Sequence, residues 1–149
     1  MIEYRTYTTT NTLTYLEKDR LVDFLLEHLD QYGDRKEDIA RAIEYANDPH
    51  GHKGGYILEA YQDGAIVGAV VVNKTGMSGY IPENILVYIA VDRSLRGSGI
   101  GQELMKRTLQ IAKGHVALHV EPDNPARKLY QKLGFTNKYL EMRYDPTQQ

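Results

Sequence analysis

The segment Val91-Asp92-Arg93-Ser94-Leu95-Arg96-Gly97-Ser98-Gly99-Ile100-Gly101 constrains this chain more than any other. Before it, Ile85 to Val91 is apolar at every position, the pattern of a central strand buried on both faces. After it, Ile100, Leu104, Leu109 and Ala112 recur at helical spacing, so a helix runs to about Lys113. A buried strand feeding a helix through a tight turn points to an α/β domain. Glycines at 97, 99 and 101 keep side chains from holding a ligand off the backbone. The opening helix aims unpaired N–H groups at the turn, its dipole places positive charge there, and Arg96 adds a guanidinium. Together these features suit a diphosphate.

The spacing excludes two familiar diphosphate sites. A G-x-G-x-x-G dinucleotide fingerprint begun at Gly97 ends on Gln102, and the Gly-Lys-Ser/Thr of a mononucleotide loop is absent. Spacing alone leaves open a glycine-rich turn that binds nothing.

The remaining elements follow from periodicity and breakers. Ile2 to Thr8 reads as a first strand, and Leu21, Phe24, Leu25 and Leu29 place a helix from about Leu16 to Leu29. A second helix carries Ile39, Ile43 and Ala46, and Asn47-Asp48-Pro49-His50-Gly51-His52 stops it. Tyr56 to Gln62 and Ala65 to Asn73, joined by Asp63-Gly64, predict a hairpin with a primed turn. Lys74 to Pro82 reads as a loop. Val116, Leu118 and Val120 alternate as another strand, Asn124-Pro125 opens a helix ended by Gly134, and Phe135 to Tyr144 is expected to form a last strand or hairpin. The expectation is one α/β (α+β) domain, residues 1–149, with a mixed sheet of six to seven strands under helices on both faces.

Composition narrows the function. With 42% hydrophobic and 26% charged residues the chain is globular, and a formal charge of −2 argues against a nucleic-acid partner. No cysteine is present, which excludes disulfides, thiolate zinc sites and a cysteine nucleophile. Met1-Ile2-Glu3-Tyr4-Arg5 does not open like a signal peptide, and no apolar run reaches the ~20 residues of a membrane span, so the reading is cytoplasmic with no membrane partner. His50-Gly51-His52, and His115 with His119, lack the further ligands a metal needs, so no metal is expected.

Arg96-x-x-Gly99-x-Gly101 matches the R/Q-x-x-G-x-G/A signature of the GNAT superfamily of acyl-CoA-dependent N-acetyltransferases. Asn124-x-Ala126-x-x-Leu129-Tyr130-x-x-x-Gly134-Phe135 matches a second motif of the same superfamily. The resemblance is good over Glu83 to Tyr144, whereas the first half agrees only in element order. It implies a mostly antiparallel, GNAT-like sheet whose central strands splay, the strand matching Ile85–Val91 being bulged, with acetyl-CoA as co-substrate in the gap. Ile89 and Val91 would bond the pantetheine arm through their backbones, and Arg96, Gly97, Ser98, Gly99, Ile100, Gly101 and Gln102 would cradle the pyrophosphate. Asn124 would reach the coenzyme near its thioester, a role that competes with simple helix capping.

The same resemblance assigns the chemistry. The N–H of Ile89 would polarise the thioester carbonyl, and Tyr130 would serve as general acid near the coenzyme sulfur. Glu83, thirteen positions before Arg96, resembles the base of histone-acetylating members, although a solvated loop-edge carboxylate explains it equally. Asp30, Tyr32 and Asp34 fall where similar proteins build the acceptor pocket. The expected activity is acetyl transfer from acetyl-CoA to a primary amine, of a small molecule or a peptide, by direct attack in a ternary complex. A homodimer is common among similar proteins. The rival expectations are a non-catalytic acyl-CoA-binding module and another nucleotide-binding enzyme.

Overall fold

The computed structural model describes residues 1–48, 50 and 54–148, which fall into two compact units, Met1–Leu118 and His119–Gln149. Pro49, Gly51 and His52, part of the stop after the second helix, lie outside the described residues, as does one of the two histidines in the His50-Gly51-His52 reading.

The first unit begins with β1 (Glu3–Tyr7) and α1 (Tyr15–His28). Thr14 and Glu17 start α1 by a reciprocal capping box, each side chain accepting the other's backbone N–H. After a short 3₁₀ turn at Asp30–Tyr32 comes α2 (Lys36–Asn47), which buries the expected Ile39, Ile43 and Ala46. β2 (Gly55–Gln62) and β3 (Ala65–Lys74) form the hairpin. Asp63 (φ 53°) and Gly64 (φ 80°) are both left-handed, as a type I′ turn requires. β4 (Asn84–Val91), α3 (Ile100–Ile111) and β5 (Val116–Leu118) complete the unit.

The strands form one sheet in the order β1-β2-β3-β4-β5. Each neighbouring pair from β1 to β4 is antiparallel, and β5 joins β4 in parallel through the α3 crossover. Alternation sorts the residues by face. Ile57, Ala69, Val71, Tyr88 and Ala90 pack with Leu21, Leu25, Ile39 and Ile43 under α1 and α2. Gly68 points the other way, where a Cβ would stand 2.8 Å from Leu104 and 3.0 Å from Ile100, so its lack of a side chain lets α3 settle on the sheet. Helices therefore cover both faces, as expected.

The second unit contains α4 (Ala126–Lys132). Asn124 Oδ1 accepts the N–H of Ala126 at 2.9 Å, satisfying a first-turn donor. Gly134 (φ 101°) ends the helix in a Schellman arrangement, Phe135 N–H bonding Tyr130 O at 3.0 Å and Gly134 N–H bonding Gln131 O at 3.1 Å. The rings of Tyr130 and Phe135 meet at 6.0 Å, the apolar contact that accompanies this motif.

The expected strand count needs correction. The described residues hold five strands rather than six to seven, because Phe135 to Tyr144 forms no ladder and β5 spans only Val116–Leu118 of the expected run to Val120. Strand propensity marks residues that suit a pleated surface, but a strand exists only where another edge pairs with it. Tyr139, Leu140, Met142 and Tyr144 remain exposed.

Candidate active site

The geometry of the site starts from one extra residue in β4. Val71 pairs with Tyr88 and Val72 with Leu86, so Val87 is a bulge with no partner of its own. Two hydrogen bonds show its effect. Asn84, before the bulge, donates its N–H to His115 O, on the β5 side, at 3.1 Å. Asp92, beyond it, donates its N–H to Val67 O, on the β3 side, at 2.9 Å. Counting back by twos from Asp92, Ala90 and Tyr88 bond β3, while Ile89 and Val91 turn their backbone groups to the opposite edge. Without the bulge that edge would present Tyr88 and Ala90. The parallel ladder with β5 covers only Asn84, Ile85 and Leu86, so the edge at Ile89 and Val91 lies beyond it.

The turn after β4 is built by local hydrogen bonds. Asp92 Oδ1 accepts the N–H of Ser94 at 2.9 Å and its hydroxyl at 2.7 Å. Gly97 (φ 86°) and Gly99 (φ 91°) are left-handed, and Gly99 stands at the start of α3 with no side-chain cap. A Cβ at either glycine would meet no atom within 4 Å. Backbone conformation demands glycine there, and the surrounding space is open. Among the described residues, no protein acceptor bonds the N–H of Gly97, Gly99, Ile100, Gly101 or Gln102. Open space, unpaired amides and a helix N-terminus fit a diphosphate.

Arg96 is placed otherwise than its sequence position suggests. Its Nη1 donates to Asp30 Oδ2 at 3.1 Å, its Nη2 to His28 O at 2.8 Å and its Nε to Val91 O at 3.3 Å. Arg93 Nε holds the other oxygen of Asp30 at 2.8 Å, and its Nη2 bonds Glu27 O. The Arg93 bond first, then Arg96, holds the Asp30 carboxyl below the usual range. Asp34 instead accepts the Tyr88 hydroxyl at 2.5 Å, and burial together with this bond raises the phenol's pKa. The α1–α2 connection thus lies against β4 next to Ile89.

Glu83 is not brought to this edge. Its Oε1 accepts His115 N–H at 3.3 Å and its carboxylate covers Gly114, where a Cβ would come within 2.2 Å of Oε2. Ile89 lies six positions further along the chain, roughly 20 Å at the usual strand rise. In the second unit Tyr130 is buried, which pushes its phenol up to about 12. No group of three His, Cys, Asp or Glu suited to a metal occurs among the described residues.

The model of the acetyltransferase (GNAT) family matches residues 15–135. The chain belongs to that family. The N-alpha-acetyltransferase RimI of Mycobacterium tuberculosis is 34% identical over 98 residues, which cover 64% of this chain and 59% of RimI. This GNAT chain also superposes on the ribosomal-protein-alanine N-acetyltransferase of Brucella melitensis biovar Abortus, with a TM-score of 0.67 at 16% identity over 97% of this chain and 99% of that one. The aminoglycoside N-acetyltransferase AAC(6′)-Iy, solved in complex with CoA, gives a TM-score of 0.67 at 17% identity over 97% and 95%. These structural likenesses establish the shared fold.

Sequence reasoning located the turn, the family resemblance implied a bulge in this strand without placing it, and two features were missed. The Val87 bulge lies inside an unbroken apolar run and leaves no trace in it. The Asp30–Arg93–Arg96 cluster and the Tyr88–Asp34 bond join positions more than fifty residues apart, which no local pattern reports.

Proposed function

We propose that the protein transfers an acetyl group from acetyl-CoA to a primary amine by direct attack. The observation that carries this reading is the Val87 bulge. It turns the backbone of Ile89 and Val91 to the edge that continues into the unpaired amides of Gly97 and Gly99–Gln102. An extended pantetheine arm would add to that edge as a strand would, with its diphosphate at the start of α3.

Three requirements fall to the protein. The N–H of Ile89 donates to the thioester oxygen as charge develops there. The amine must arrive neutral, and removing a proton from an ammonium of pKa about 10.4 costs roughly 4–5 kcal/mol at pH 7. Asp34, an exposed carboxylate beside Tyr88, supplies the negative charge that draws a cationic acceptor to this face. Asp30, already paired with two arginines, does not.

The family resemblance, rather than any placement of one unit against the other, gives Tyr130 the departing sulfur. At a pKa of about 12 it is a weaker acid than a thiol near 8.5, so full proton transfer to the sulfur runs uphill by about 5 kcal/mol. Its role is to donate a hydrogen bond to the developing thiolate, and the proton lost by the amine ends on that sulfur. As the N–C bond forms the C–S bond breaks, and no covalent enzyme carrier is needed, in keeping with the absence of cysteine.

Calorimetry with CoA and a thiol-release assay with acetyl-CoA test the reading. The amine panel comprises peptides with free N-termini, lysine peptides and aminoglycosides. Binding and release are expected with at least one amine. No affinity for CoA would overturn the proposal, and affinity without release across the panel would mark a non-catalytic binding module.

A further inference from the structure

Arg96 and its neighbour Arg93 reach away from the glycine turn to the end of α1. The last turn of a helix leaves carbonyls unbonded, and Arg93 and Arg96 donate to two of them, Glu27 O and His28 O. Arg93 N–H also donates to Nδ1 of the buried His28 at 3.3 Å. Both guanidinium groups then share the carboxylate of Asp30, one on each oxygen. Asp30 is left-handed at φ 56°, a conformation that costs an L-residue roughly 1–2 kcal/mol and persists only when neighbours impose it. A lone surface pair is worth little, but two arginines on one carboxylate and two helix carbonyls form a network.

Resting on the assignment of the turn as the coenzyme site, we propose that Arg96 is a positioning residue and not a phosphate ligand. Through Asp30 it clamps the connection of residues 29–35 to the coenzyme turn, so that CoA at the turn orders the acceptor side. The path is short and contiguous. Arg96 adjoins Gly97, whose N–H is among the unpaired amides, and Asp30 opens the connection that carries Asp34 to Tyr88 beside Ile89. Holding the turn constrains the loop, and a ligand that rigidifies one rigidifies the other.

The two roles of Arg96 differ in sign. If its guanidinium served phosphate, Asp30 would compete for it, and Asp30→Asn would tighten CoA binding. If the clamp shapes the turn, Asp30→Asn weakens CoA binding, by roughly 5-fold or more. Hydrogen exchange on the full chain reads the coupling without an acceptor. With the wild type, CoA is expected to slow exchange at residues 97–102 and also at 29–35. With Asp30→Asn the slowing at 97–102 persists and that at 29–35 is lost, while Arg96→Lys retains part of it. Slowing confined to 97–102 in the wild type, or tighter CoA binding by Asp30→Asn, overturns the clamp and leaves the coenzyme site standing. No CoA binding at all removes both. The wild-type measurement decides the matter even if a variant fails to fold.

Discussion

Tyr61 donates its hydroxyl to Oε1 of Glu59 at 2.7 Å inside the sheet, where Glu59 is fully buried and its second oxygen, Oε2, has no partner among the described residues. Burial is the main cause that pushes this carboxyl up to about 7; the Tyr61 bond lowers it, the Glu17 charge raises it and the Arg5 charge lowers it.

That placement predicts a pH dependence of stability. Between the unfolded pKa, near 4.3, and about 7, the native chain keeps a proton that the unfolded chain has released. Stability from this group is therefore complete below that window and is lost as pH rises through it, by about 4 kcal/mol. Glu59→Gln removes the titration. Thermal midpoints at pH 5 and pH 8 should show the variant gaining on the wild type by several degrees at the higher pH, and parallel pH profiles would refute the assignment.

Tyr130→Phe keeps the buried ring and removes the donor. CoA affinity should stay within about twofold while turnover falls by about 10²–10³, the loss of one hydrogen-bond donor to developing charge. Calorimetry and thiol release measured side by side check this, and unchanged turnover would end the role given to the phenol.

Gly99 is left-handed with open space around it, so the cost of replacing it lies in the backbone. Gly99→Val should weaken CoA binding by roughly 5- to 30-fold, the equivalent of 1–2 kcal/mol of conformational strain. Asparagine tolerates this conformation, so Gly99→Asn should lose less. An equal loss in both variants would mean that bulk, not conformation, decides the position.

Glu83 joins the start of β4 to the start of β5 through His115 N–H. Glu83→Gln should therefore leave the position of the pH–rate profile unchanged and lower the thermal midpoint slightly. A displaced profile would return the carboxylate to proton abstraction.

The legible parts of the protein were those fixed within a few residues. The capping of α4 by Asn124, its Gly134 stop, the Asp63-Gly64 turn and the glycines after β4 each state a local backbone requirement. The apolar face of α2 was equally plain, since helical periodicity is written into successive residues; on α3, Ile100 and Leu104 are buried as expected, whereas Leu109 is half-buried and Met105 and Thr108 complete the buried face. The last expected strand failed for the opposite reason. Phe135 to Tyr144 has the composition of a strand, and pairing is not a property of composition.

Sequence by itself therefore determined which segments form helices and turns, that the turn after β4 is rich in glycine, and that the chain offers no cysteine. Tertiary structure alone decided that the bulge in β4 falls at Val87, that Glu83 lies at the other end of β4, and that Arg96 faces Asp30. The division is physical. Caps, turns and periodicity are short-range constraints, whereas register, bulges and ion pairs arise only when distant segments compete for the same hydrogen-bond partners.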